Sequence, residues 1–294
     1  MNSARFVVAD GLAGCHDPIV IGRSRPIRRV VALLAIAVVC ASVSIAYAQQ
    51  IWVGGGGWGR GGGRYPPRWA TAEDFDGSFL FCRAAYTSRW REQGGSGWST
   101  DYPGADNNFS VRLAELTRVR VGMYENRQPR HVVVSLTDPL LYRCPIIFMS
   151  DVGSMGLSGE EVQALRTYFD KGGYLWVDDF WGTEAWNTWA AEIGRVLPPG
   201  EFPIFDIRQD HPVMRALYNV QKVPQVPNIG YWRRSGGDTS ERGWDSAEVH
   251  FRGIQDSLGR LVVVMTHNTD IADTWEREGE NQDFFDLFSP SGYA

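Results

Sequence analysis

Two adjacent carboxylates, Asp178 and Asp179, end a short apolar run at residues 174–177. A helix-like pattern and the pair Gly172 and Gly173 precede this run, as is typical of a helix, a turn and a buried strand. Ligands of an open parallel sheet bind at the carboxyl ends of its strands. The two acids could bind a metal ion or act as acid and base, because like-charge repulsion raises the pKa of one of them. Successive strand residues face opposite ways, however, and one acid could instead cap the following helix.

A long polar loop at residues 88–107 supplies a second group of candidates, and loops of this length are often functional. Trp98 and Asp101 have no evident role in a helix or a strand, so a binding site or a role in holding the loop is expected. Tyr102 lies beside them. Asp106 is expected to cap the helix that follows.

His211 is the best-placed histidine, because a neutral imidazole can ligate a metal ion together with carboxylates. Its alternative role is that of an exposed residue at the start of a helix. Trp275 and Glu276 complete the candidate cleft, since aromatic faces beside carboxylates suit sugar rings. The sequence contains no H-E-x-x-H, C-x-x-C or similar ligand spacing, so neither a metal ion nor a cofactor is expected.

Alternating strand and helix patterns must position these side chains. Apolar runs predict strands at residues 78–86, 131–136, 145–150 and 174–177, and a late hairpin at 248–254 and 260–266. Ser158 and Glu161 fit a capping box at the start of the helix before residues 174–177. The alternation implies parallel βαβ units, with residues 174–177 near the middle of the sheet and the hairpin added antiparallel at one edge.

The first 48 residues are typical of a secretory signal peptide, with arginines before an apolar run and an A-x-A site ending at Ala48. We expect cleavage after Ala48. The alternative is an uncleaved N-terminal anchor, because residues 30–48 are nearly long enough to span a bilayer. Either alternative places the remainder in the periplasm or otherwise outside the cytoplasm. Residues 49–74 are expected to be a glycine-rich linker, and residues 75–294 one α/β domain.

Charge and cysteine content restrict the partners and the compartment. The whole chain carries −5 and residues 1–48 carry +3, so the remainder carries −8. Nucleic acid is disfavoured as a partner, because phosphate contacts need clustered lysines and arginines. Membrane contact is expected only through an uncleaved N-terminal segment. Cys82 and Cys144 could pair in an oxidising compartment, but free buried cysteines are also common in apolar runs, and both alternatives stay open.

Beyond these patterns, the chain resembles the bacterial domain of unknown function 4159. The residues that carry the resemblance are 98–106 (WSTDYPGAD), Arg112-Leu113, Glu115-Leu116-Thr117, Leu165-Arg166, Gly172-Gly173, Asp178-Asp179-Phe180, His211-Pro212, Asn268, Asp270 and Trp275-Glu276. The resemblance implies a class I glutamine-amidotransferase-like, flavodoxin-like fold, which is a three-layer α/β/α sandwich with a mostly parallel sheet. It implies no activity, because none is assigned to the family.

Two departures from related proteins affect these expectations. Amidotransferases place a cysteine on a sharp turn between strand and helix, whereas residues 150–154 contain neither a cysteine nor a G-x-S-x-G motif. Glutaminase chemistry is therefore not expected. Family members usually continue past the last residues of this chain, so the domain is expected to be clipped at its C-terminus.

These observations favour an exported, noncatalytic module of the cell envelope that binds a small polar ligand or a protein partner. The alternative is a carboxylate- or metal-dependent hydrolase of a carbohydrate or related envelope compound, using Asp178, Asp179 and His211. Convergence of Asp101, Asp178 and His211 within about 5 Å would favour the enzyme. If these side chains instead form hydrogen bonds with backbone amides and ion pairs with arginines, the binding module is favoured.

Overall fold

The computed structural model describes residues 65–92 and 94–294. This part of the chain has mixed α/β structure, with a seven-stranded sheet and six α-helices. The predicted signal peptide and most of the predicted linker lie outside the described residues. Among those that are described, no helix is long and apolar enough to cross a membrane.

The sheet and the helices have the following bounds. The strands are β1 (Phe81–Ala85), β2 (His131–Ser135), β3 (Ile146–Ser150), β4 (Tyr174–Phe180), β5 (Phe205–Asp206), β6 (His250–Gln255) and β7 (Leu261–His267). The helices are α1 (Gly104–Leu116), α2 (Gly159–Asp170), α3 (Gly182–Val196), α4 (Ile229–Ser235), α5 (Ile271–Glu276) and α6 (Gln282–Gly292).

Strand β4 is the central strand of the sheet, whose order is β2-β1-β3-β4-β7-β6-β5. The pairs β1–β2, β1–β3, β3–β4 and β4–β7 are parallel, whereas β6 pairs antiparallel with β7 and β5. The predicted central position of β4 is confirmed. The hairpin of β6 and β7 also forms on one side of the parallel strands, with only the two-residue β5 beyond it; β6 is antiparallel as expected, whereas β7 pairs in parallel with β4. Strand β7 is buried along nearly its whole length, as suits an interior strand covered on both faces.

Side chains of β4 alternate between two apolar clusters. Leu175 and Val177 pack in one cluster with Leu165 of α2, and Trp176 packs in the other with Trp275 of α5. Successive strand side chains face opposite sides of a sheet, so the core extends over both faces of β4.

Helix α2 begins at the predicted capping box. Ser158 Oγ accepts from the Glu161 amide at 3.1 Å, and Glu161 Oε2 accepts from the Ser158 amide at 2.7 Å. The helix ends before Gly172, whose φ of +88° suits glycine, and the chain then enters β4. The local patterns around β4 therefore predicted its start correctly.

Cys82 and Cys144 form a disulfide bond, which settles the alternative that the sequence leaves open. The bond joins β1 to the segment that leads into β3. It closes a loop between residues 62 positions apart in the sequence.

Candidate functional site

Five carboxylates converge where β4 and β7 end, and we call this group the acidic centre. Its members are Asp101 in the loop before α1, Asp179 of β4, Asp270 directly before α5, and Asp273 and Glu276 of α5. The parallel pairing of β4 with β7 places the ends of both strands at one edge of the sheet, which is where α5 begins.

The acidic centre consists of two overlapping groups. Carboxylate oxygens of Asp101, Asp179 and Asp270 lie within 4.8 Å of one another. Oxygens of Asp101, Asp273 and Glu276 do the same. Asp101 therefore belongs to both groups, and it lies between the β4 side and the α5 side of the centre.

Most of the acidic centre is removed from solvent. Asp101 is 8% exposed, Asp179 9%, and Asp270 and Asp273 at most 2%. The Glu276 side chain is 21% exposed. Glu276 is thus the most exposed member of the centre, although its Oε2 is buried.

Several donors hold these carboxylates in place. The Trp181 indole donates to Asp179 Oδ1 at 2.9 Å, and the Asp273 amide donates to Asp270 Oδ1 at 2.9 Å. Arg277 pairs with Asp273 Oδ1 at 3.0 Å and with Glu276 Oε2 at 2.6 Å.

Asp101 Oδ2 and Glu276 Oε2 are both buried and have no hydrogen-bond partner among the described residues, although Arg277 lies 2.6 Å from Glu276 Oε2. Asp101 therefore differs from the other four members in having neither a donor nor an arginine at its buried oxygen. Its backbone φ of 65° lies in the left-handed region.

Burial dominates the electrostatics of the centre. It raises the pKa of Asp101, Asp179 and Asp270 well above the ordinary value, and repulsion from neighbouring carboxylates raises each pKa further. The pKa of Glu276 is raised to about 7, first by burial and then by Asp273. The centre therefore favours either protons or an added positive charge.

Asp178 lies next to the acidic centre but is used structurally. The Thr266 hydroxyl donates to its Oδ1, and the Ala272 amide donates to its Oδ2 at 2.8 Å. Burial raises the pKa of Asp178 to about 6. Asp178 thus ties β4 to β7 and to the first turn of α5, and it belongs to neither group of converging oxygens among the described residues.

Four polar residues near the strand ends have left-handed backbones. They are Asp101, Asp151 after β3, Asp179 in β4 and Asn268 after β7, with φ between 54° and 65°. Such conformations cost on the order of 1–3 kcal/mol each and concentrate at functional sites. Asn268 is held by the Gly182 amide, which donates to its Oδ1 at 2.8 Å. The residues with strained, left-handed backbones therefore lie at one edge of the sheet.

The aromatic candidates of the 88–107 loop pack against the N-terminal segment. Trp98 is 2% exposed, and its ring lies 6.1 Å from that of Trp69. The Tyr102 hydroxyl accepts from the Arg68 amide at 2.9 Å. These contacts fix the loop that carries Asp101.

His211 and Trp275 lie outside the acidic centre. His211 Nδ1 accepts from the Val213 amide at 3.2 Å, and its ring is 6.4 Å from that of Phe205 on β5. Trp275 is 1% exposed and donates through its indole to the Gly292 carbonyl at 3.0 Å. His211 therefore caps a short turn, and Trp275 is a core residue.

Asp106 and Arg83 form a buried ion pair that the sequence did not predict. The expected capping role of Asp106 was wrong, because α1 begins at Gly104 and Asp106 lies in its first turn. Arg83 Nε lies 3.0 Å from Asp106 Oδ1, and both side chains are fully buried. The available signal was an arginine inside the apolar run of β1, where a charge needs a partner.

Glu92 and Asp151 form a separate acidic pair near β3. The Gly97 amide donates to Asp151 Oδ2 at 2.6 Å. Burial, followed by the charge of Asp151, raises the pKa of Glu92 to about 9. This pair supports the other side of the loop that carries Asp101.

Comparison with known proteins identifies a family without adding an activity. No curated protein matches the chain. The family described as domain of unknown function (DUF4159) matches residues 85–287, which include every member of the acidic centre. The chain therefore belongs to this family.

Proposed function

We propose that this chain is an exported, noncatalytic binding or assembly module of the cell envelope, and that its acidic centre binds a positively charged ligand. The observation that supports this proposal most strongly is that Asp101 Oδ2, a buried carboxylate oxygen, has no hydrogen-bond partner among the described residues. A buried charge without a partner is costly, so a cation would supply the missing interaction.

The hydrogen-bond partners of Asp178 and His211 favour binding over acid–base chemistry. Asp178 accepts from the Ala272 amide and the Thr266 hydroxyl, and His211 accepts from the Val213 amide. Neither residue joins Asp101 in a group of converging ligand atoms among the described residues. The catalytic arrangement predicted from the sequence therefore lacks support, whereas a cation site does not need it.

Placement outside the cytoplasm is supported by two independent features. The N-terminal pattern is that of a signal peptide. The Cys82–Cys144 bond suits an oxidising compartment such as the periplasm. The partner would be a small cationic or polar ligand or another envelope protein, and membrane contact would come only from an uncleaved N-terminal segment.

The proposal includes a three-layer α/β/α sandwich of the class I glutamine-amidotransferase-like kind. The parallel order β2-β1-β3-β4-β7 supports it. The two apolar clusters that share β4 support it as well.

A hydrolase acting on a carbohydrate or related envelope compound is the second candidate, and Asp179 favours it. This residue combines a left-handed backbone with a pKa that burial and Asp101 raise well above the ordinary value. Strain and perturbed pKa values both concentrate at active sites. A carboxyl group that keeps its proton can serve as a general acid, which would be the role of Asp179.

A thermal-shift comparison tests the binding proposal. The purified chain and Asp101→Asn are melted with monovalent ions, divalent ions and polyamines at constant ionic strength. A ligand at a hundred times its Kd stabilises by about 2.7 kcal/mol, which raises the Tm of a domain of this size by about 5–10 °C. We expect such a rise in the unchanged chain and a smaller one in Asp101→Asn. Equal shifts in both proteins, or none with any cation, would contradict the proposal.

A further inference from the structure

The acidic centre holds more negative charge than its own arginine can balance. Five ionised carboxylates and the guanidinium of Arg277, which pairs with Asp273 and Glu276, leave a net charge of −4. Arg83 does not supply the difference, because Asp106 already neutralises it. Uncompensated buried charge is unfavourable, so the centre must take up protons or cations.

The spacing of the oxygens fits metal ions. Calcium–oxygen distances are about 2.3–2.6 Å, so two ligands on opposite sides of one ion are up to about 5 Å apart. The oxygens of each three-residue group lie within 4.8 Å of one another, and so each group can surround one ion. Asp101 is common to both groups; it is more than nine-tenths buried, and its Oδ2 has no hydrogen-bond partner among the described residues.

The five carboxylates do not converge on a single point. Among the described residues, the converging oxygens form two groups of three and no group that contains all five members. Two ions that share Asp101 can satisfy both groups. Two divalent ions also bring the net charge of the centre from −4 to zero.

We infer, on the basis of the proposed cation-binding function, that the acidic centre is a two-ion calcium site bridged by Asp101. Asp179 and Asp270 complete one subsite, and Asp273 and Glu276 complete the other.

The donor set selects calcium over other metals. Both subsites offer carboxylate oxygens and neither contains a histidine or a cysteine, which disfavours zinc and copper. Magnesium usually retains several waters and uses only one or two carboxylates, whereas calcium accepts six to eight oxygen ligands in flexible geometry. Five protein carboxylates around two ions therefore suit calcium better.

The two subsites are unequal. Arg277 contacts both Asp273 and Glu276, so its positive charge opposes an ion in their subsite. In the other subsite, Trp181 and the Asp273 amide each fix one oxygen of a ligand without adding a positive charge. Such outer donors orient metal ligands. The subsite of Asp179 and Asp270 accordingly binds calcium first and more tightly.

Native mass spectrometry and calorimetry of the chelator-treated full chain, titrated with calcium, test this inference. We expect two calcium ions per chain, bound in two steps. Because a lost outer donor alone costs 10–100-fold in affinity, loss of a ligand should cost more than about tenfold. Asp101→Asn should weaken both steps, Asp270→Asn the first, and Glu276→Gln only the second. Asp210→Asn, at a 67%-exposed position, serves as the matched control and should change neither step.

The possible results distinguish a failure of the two-ion calcium site from a failure of the proposed cation-binding function on which it rests. A single bound calcium ion, or binding of monovalent ions or polyamines but not calcium, would overturn the two-ion site and leave cation binding intact. No binding of any cation would overturn both. The stoichiometry of the unchanged chain decides between these outcomes even if Asp101→Asn fails to fold.

Discussion

Arg83 and Asp106 form an ion pair in which neither side chain is accessible to solvent. The same guanidinium donates through Nη1 to the Thr100 carbonyl at 2.7 Å. The pair thereby joins β1 to α1 and holds the loop residue next to Asp101. The position of the bridging carboxylate thus depends on a charge buried in a neighbouring strand.

We expect Asp106→Asn to be strongly destabilising. The change leaves the Arg83 guanidinium buried without its counter-charge, which typically costs about 3–5 kcal/mol of unfolding free energy. Urea denaturation followed by circular dichroism measures this loss. Glu115→Gln is the matched control, because its pair with Arg112 is partly exposed and should contribute no more than about 1 kcal/mol. Similar losses in the two variants would show that the buried pair does not organise the loop.

The disulfide bond gives a second prediction. Replacing both Cys82 and Cys144 by serine should lower the unfolding free energy by about 2–4 kcal/mol, because the open chain gains conformational freedom when unfolded. A reductant should destabilise the unchanged chain by a similar amount and leave the double variant unaffected. If the reductant acts equally on both proteins, the two cysteines are not paired.

Glu92 predicts a pH dependence of stability. Burial and the neighbouring Asp151 raise its pKa to about 9 from the ordinary 4.5, so the folded state keeps a proton that the unfolded state loses between these values. The contribution of Glu92 to the unfolding free energy therefore falls as pH rises through this window, by at most about 1.4 kcal/mol per pH unit.

Glu92→Gln should remove this part of the pH dependence, because the amide resembles the protonated acid. The stability of the variant relative to the unchanged chain should thus increase from about pH 5 to about pH 9 in urea unfolding experiments. The exposed Glu160→Gln is the control and should show a constant difference. A constant difference for Glu92→Gln as well would mean that this carboxyl ionises normally in the folded protein.

Trp181 offers a spectroscopic prediction. Its indole donates to Asp179 Oδ1 at 2.9 Å, so it lies next to the tighter calcium subsite. Terbium, a luminescent substitute for calcium, should be excited through this tryptophan, and calcium should displace it. Trp181→Phe should reduce the luminescence and weaken calcium binding about tenfold, while the stoichiometry stays at two. Unchanged luminescence in the variant would place the ion away from Asp179.

Local patterns predicted the elements around β4 but not the composition of the site. The capping box at Ser158 and the turn at Gly172 are encoded by adjacent residues and could be recognised. The partnership of β4 with β7 could not, because parallel pairing joins distant segments and leaves no local signal. The acidic centre depends on that pairing.

The two adjacent acids show what a strand pattern can and cannot reveal. Their position near the end of a central strand was predicted, but regular alternation does not hold there, because Asp179 has a left-handed backbone and the β4–β7 register shifts between Val177 and Phe180. Asp178 accepts hydrogen bonds from the Thr266 hydroxyl and the Ala272 amide, whereas a carboxylate oxygen of Asp179 lies within 4.8 Å of one of Asp101. Which of the two acids joins the acidic centre depends on the neighbouring segments and could not be predicted from the strand pattern.

Two members of the centre, Asp270 and Asp273, were not predicted as site residues. A signal was present, because Asp270, Asp273 and Glu276 recur every three residues around the start of α5, a spacing that places them near one another on a helix. The expectation of no metal relied on histidine and cysteine motifs. A carboxylate site assembled from separate segments does not contain such motifs, so our calcium proposal departs from that expectation.

Crystallography with an anomalous scatterer tests the central claim most directly. Crystals of the chain soaked in manganese, which also prefers oxygen ligands, should show two anomalous peaks that share the Asp101 carboxylate. One peak should lie beside Asp179 and Asp270, and the other beside Asp273 and Glu276. An acidic centre without a peak at saturating manganese, with Asp101 bonded only to protein donors or water, would contradict the account.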